Sequence, residues 1–137
     1  MRKDIVGGVV VILCITVALC GCQAGQVNSN KYADVFQSDV VTLVNYTLNL
    51  QKDKSNHVVE AAVDGKVQNL LNKMININIT VDFYDKNNNL LGMRMYEIFG
   101  LRNKSAPGSS TTFSVIYDEM PNVAFVDHIK MRANEII

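Results

Sequence analysis

The sequence predicts an all-β chain, folded as an antiparallel sandwich, and three observations carry that expectation. From residue 40 onward apolar residues recur at every second position, the period of a strand with one buried face. These runs are separated by turn-forming segments, "QKDKSN", "DKNNN", "LRNKSAPGSS" and "DEMPN". The 137 residues give room for one domain of ordinary size, and several short strands, each with one apolar face, bury that face by stacking two sheets. With 13 basic and 13 acidic side chains the formal net charge is zero, and Lys and Arg are scattered singly among acids. That pattern excludes the basic stripe by which nucleic-acid binders neutralise phosphates.

The first element lies outside the β pattern. Met1-Arg2-Lys3 precedes the uncharged run Ile5 to Cys20, which is short for a bilayer span of roughly 20 apolar residues but fits an export signal. Asp4 weakens the positive flank, so an uncleaved N-terminal anchor is the alternative. All three cysteines, Cys14, Cys20 and Cys22, fall in or beside this run. Zinc and redox sites need thiolates on folded loops, typically as C-x-x-C pairs with further Cys or His. Here no Cys follows Cys22 and the only histidines are His57 and His128, so no metal and no cofactor is expected.

Leu19-Cys20-Gly21-Cys22 instead resembles the lipobox of bacterial-type lipoproteins: Leu, a small residue, Gly or Ala, then Cys. The resemblance implies cleavage between Gly21 and Cys22 and a diacylglyceryl group on the Cys22 thiol. Residues 1–21 would be a lipoprotein signal peptide, and the mature chain would be held on the extracytoplasmic face of a membrane or outer envelope. Two acyl chains suffice for stable anchoring. The departure is Cys at position 20, where Ala or Ser is commoner; the competing reading takes the cysteines as small apolar residues of a signal cleaved elsewhere.

Residues 22–39 comprise Cys22, the small polar tether "QAGQVNSN" and "KYADVFQSD", where Tyr32, Val35 and Phe36 stand at the spacing of a short amphipathic helix. The sandwich is expected over 40–137. Its first strand, "VVTLVNYTLNL", would put Val40, Thr42, Val44, Tyr46, Leu48 and Leu50 on one face. The second would share Val59, Ala61, Val63, Gly65 and Val67, and the third Ile75, Ile77, Ile79, Val81 and Phe83, with Asn76, Asn78, Thr80 and Asp82 facing solvent. Strands follow at "LLGMRMYEIFG", "TTFSVIY" and "VAFVDHIKMRA".

Two of these stretches carry a second resemblance. Val63-Asp64-Gly65-Lys66-Val67-Gln68-Asn69 is similar to the V-x-G-x-V-x-N that opens FxLYD-type domains, and Val81-Asp82-Phe83-Tyr84-Asp85 resembles their F-x-L-Y-D signature, with Val81 for Phe and Phe83 for Leu. Pro107-Gly108 before Phe113 looks like the family's later turn and strand. The likeness covers roughly residues 57–132 and implies an immunoglobulin-like sandwich of about seven strands on an exported protein, with no catalytic residues. Gly65, Asn69, Val81, Phe83, Tyr84 and Asp85 would be structural posts.

No motif points to a reaction. Asp85-Lys86-Asn87-Asn88-Asn89 begins like a calcium loop, but Leu90 stands where that loop needs Gly and Tyr96 where it needs Glu, so a hairpin turn is expected. Neither histidine sits in a nucleophile elbow or a zinc motif, and both are expected to face solvent. Three glycosylation sequons occur, at Asn45, Asn78 and Asn103; the loop position of Asn103 favours it as an acceptor. The function expected is a non-enzymatic, lipid-anchored interaction module for an envelope protein partner, with the polar ladder on residues 76–82 as the first surface to test. The alternatives are a ligand carrier or small hydrolase with a pocket between the sheets, or a structural spacer.

Overall fold

Five alternate residues, Ile75, Ile77, Ile79, Val81 and Phe83, all point into the protein and are essentially removed from water. Their strand is the centre around which the fold is laid out. In the computed structural model, which describes residues 31–137, the chain runs β1 (Phe36–Gln37), β2 (Val41–Lys52), β3 (Val58–Asn69), β4 (Ile75–Tyr84), β5 (Leu90–Leu101), β6 (Ser110–Tyr117), a 3₁₀ turn at Asn122–Phe125, and β7 (His128–Glu135). Four strands form one sheet in the order β1-β7-β4-β5, and three form the other in the order β2-β3-β6. All pairings are antiparallel except the short β1–β7 contact, where Phe36 lies beside Met131. Seven strands in two sheets is the sandwich that the periodicity predicts.

Between the sheets the space is filled. Phe83 stacks on Tyr117 with ring centroids 4.8 Å apart, in the offset range favoured by aromatic pairs. Two glycines make room for large rings: a Cβ on Gly65 would lie 2.5 Å from the Phe113 ring, and one on Gly92 2.6 Å from that of Tyr117. Backbone must approach ring at both places, which only glycine allows.

The phase of the strands departs from expectation at two points. A bulge in β2 shifts the register between Leu43 and Asn45, so Val41 and Leu43 are buried where the sequence pattern favoured Val40, Thr42 and Val44. Beyond the bulge Tyr46, Leu48 and Leu50 turn inward as expected. A second shift, between Gln51 and Lys52, buries Val58 rather than Val59 at the start of β3. An extra residue in one strand flips every later side chain to the other face, and periodicity alone does not reveal where it is inserted.

Two end elements also differ. The helix expected over 31–39 is a single turn, with Val35 and Phe36 N–H both donating to the Tyr32 carbonyl; Phe36–Gln37 then joins the four-stranded sheet as β1. The last strand begins at His128, because Asn122–Phe125 forms the 3₁₀ turn.

Candidate functional site

The outer face of the four-stranded sheet collects the polar residues of β4 between two dissimilar neighbours. Register places Thr80 between Met95 on β5 and Arg132 on β7, and Asp82 between Met93 and Lys130. These long side chains cover the ladder. Thr80 is only 7% exposed and Asp82 8%, so this part of the ladder is not the solvent-facing surface that alternation predicts. A carboxylate so placed needs a partner, and Arg132 supplies it, donating from Nη1 to Asp82 Oδ2 at 2.6 Å. Further along, Asn78 Oδ1 is buried with no hydrogen-bond partner among the described residues.

Above the ion pair Tyr84 stacks on His128 at 5.5 Å and 9°, and Lys130 Nζ lies 5.6 Å from the Tyr84 ring centre. His128 also hydrogen-bonds Asp127 through Nδ1 at 2.9 Å. The turn before β1 closes one side of this surface and leaves a groove of about 410 Å³ bordered by Asp34, Gln37, Asp82, Tyr84, Lys130 and Arg132. It presents two carboxylates, two cations and one aromatic ring. Chemically this is a concave polar surface of mixed charge.

The other residues singled out in the sequence are dispersed. Gly65 lies under Phe113 on β3. Asn69 is fully buried at the end of β3 and ties three segments together: Nδ2 donates to the carbonyls of Lys73, Leu101 and Arg102, and Oδ1 accepts from Leu71 N–H. Val81 and Phe83 face the core, while Tyr84 looks outward into the groove. Asp85 organises the β4–β5 turn. Its Oδ1 accepts from Asn87 and Asn89 N–H, its Oδ2 accepts from Asn89 Nδ2, and Asn88 takes the left-handed backbone at φ 64°. The Asn89 amide bond is the main reason its carboxyl is held below the ordinary value. Asp53 does the same in the β2–β3 turn, chiefly through His57 N–H. Of the sequon residues, Asn45 is the exposed one; Asn103 is half-buried, with Oδ1 accepting from Ser105 N–H. Among the described residues no cluster of three His, Cys, Asp or Glu side chains could hold a metal. Leu19, Gly21 and Cys22 lie outside the described residues.

What the sequence did not reveal is the part played by β7. Lys130, Arg132 and His128 lie some fifty residues from the ladder they complete, and only the strand order brings them there. Alternation of charged with apolar residues across "HIKMRA" was the one available signal.

No family model matches the chain and no curated protein matches it. Among solved structures, the Campylobacter jejuni protein cj0090 aligns with a TM-score of 0.46 at 7% identity, over 74% of this chain and 96% of that one. A DUF1425 family member from Shewanella sp. pv-4 aligns with a TM-score of 0.42 at 13% identity, over 71% of this chain and 77% of the other.

Proposed function

We propose that the chain is a lipid-anchored, extracytoplasmic β-sandwich module with a non-enzymatic role, holding a polar recognition surface close to a membrane for an envelope protein partner. The anchor reading is supported by Leu19-Cys20-Gly21-Cys22 at the end of the apolar run. The observation that carries the interaction reading is the groove around the Asp82–Arg132 ion pair, where charged and aromatic groups converge on a concave surface. Such convergence is what a binding surface needs and what ordinary solvation does not require. The likeness of residues 57–132 to FxLYD-type domains belongs to the same reading. It is supported by the structural posts held by Gly65, Asn69, Phe83 and Asp85.

The test has two arms. Metabolic labelling with a fatty-acid analogue should mark the wild-type chain in the membrane fraction, and Cys22→Ser should abolish both label and retention; undiminished retention of an unlabelled chain would defeat the anchor. Crosslinking in its own membranes should give a discrete adduct that Lys130→Glu removes, and an unchanged adduct pattern would defeat the groove.

A further inference from the structure

The ion pair that borders the groove is incomplete. Asp82 is 8% exposed, and a carboxylate so far from water is costly unless its lone pairs are filled. Arg132 Nη1 fills one of them, on Oδ2. Oδ1 accepts from nothing among the described residues, and unlike Asn78 Oδ1 it is not sealed from water. Arg132 is in the same position from the other side. A guanidinium carries five N–H donors, and among the described residues Nη1 alone is engaged. A bidentate fork would have closed both ends of the pair; this geometry leaves an open acceptor and several open donors in the lining of the groove.

The flanking charges repeat that division. Lys130 Nζ lies 5.6 Å from the Tyr84 ring centre and has no carboxylate partner among the described residues. Nor, among the same residues, has the Asp34 carboxylate a hydrogen-bond or ion-pair partner, on the turn that closes one side of the groove. Acceptors at Asp34 and Asp82 and donors at Lys130 and Arg132 thus border one concavity of about 410 Å³. A purely anionic occupant would meet the two carboxylates and a purely cationic one the two cations, and like charges brought together oppose binding. An occupant with one charge of each sign meets neither penalty and completes the buried pair.

We propose that the groove takes a short peptide stretch of the partner bearing one acidic and one basic side chain. The acidic group sits on Lys130 and the open donors of Arg132, and the basic group between Asp34 and Oδ1 of Asp82. This rests on the groove being a protein-binding surface and adds the chemistry of what enters it.

Amide NMR on the full chain in a non-ionic detergent, titrated to about 10 mM with acetylated and amidated tripeptides, tests the assignment. The probes are Lys-Gly-Glu, Lys-Gly-Lys and Glu-Gly-Glu, whose blocked ends leave the side chains as the only charges. Lys-Gly-Glu should shift the amides of Lys130 and Arg132 and bind at least about fivefold more tightly than either like-charged peptide. Asp34→Lys should turn the preference toward Glu-Gly-Glu, and Lys130→Glu toward Lys-Gly-Lys. Both positions are exposed, and circular dichroism checks that the variants fold. Equal binding of the three peptides, binding of none, or two charge reversals that move the preference the same way would overturn the proposal. If the peptides fail while the crosslinked adduct still depends on Lys130, this assignment falls and the groove remains a partner surface; if both fail, that reading falls with it.

Discussion

Strand β4 meets two environments, and its faces reach similar burial by different means. Inward, Ile77, Ile79, Val81 and Phe83 are sealed by the opposing sheet. Outward, Thr80 and Asp82 are sealed by the flexible side chains of the adjacent strands, two methionines on one flank and Lys130 with Arg132 on the other. Sheet-on-sheet packing makes a rigid apolar layer, and its cost of disruption scales with the volume removed. On the Lys130 and Arg132 flank the outer cover is made of apolar stems whose charged heads keep contact with water while the stems help to hide a carboxylate. The inner face holds the two sheets together, and the outer face holds a half-covered ion pair.

Substitutions along β4 should separate these roles. Phe83→Ala removes the ring stacked on Tyr117 and should cost about 3–5 kcal/mol, measured by denaturant unfolding. A loss below about 1 kcal/mol would mean that the two faces are equivalent. Arg132→Ala strands the Asp82 carboxylate under its remaining cover and should cost roughly 1–2 kcal/mol, discounted because the arginine is itself half-exposed. Replacing the pair together, Asp82→Val with Arg132→Met, should restore most of that loss, since both polar partners go at once. Asn78→Val should be neutral, or stabilising by up to about 1 kcal/mol, because it deletes a buried acceptor with no partner.

The smallest effect belongs to the turn that follows β4. The Asp85 carboxyl is held below its ordinary value of 3.8, mainly by the Asn89 N–H. A carboxylate with a depressed folded-state value contributes stability above its unfolded value and loses it as pH falls through the folded one. Amide exchange at Asn87 and Asn89 should therefore quicken as pH drops below about 3.8 relative to the intrinsic rate, and Asp85→Ala should remove that dependence. Asp53 predicts the same behaviour in its own turn, driven by His57 N–H.

Much of the fold was legible in the residues themselves. The inward face of β4 could be read residue by residue, and the Asp85 turn was recognisable from Asn-rich chemistry that tolerates a left-handed backbone. Gly65 and Asn69 were visible as motif positions without their reasons, which are a ring lying against the Gly65 backbone and a buried amide joining the ends of three segments. The bulge at Val44 was not legible, because a strand that slips one residue keeps the same composition while exchanging its faces.

By itself the sequence determined the period, the turns and the core face of the central strand, since these depend on each residue and its near neighbours. The tertiary structure alone decided that Asp82 would be buried and that Arg132 would answer it across fifty positions of chain. Those outcomes depend on which strands lie side by side, and strand order is set by the packing of the whole chain rather than by any segment of it.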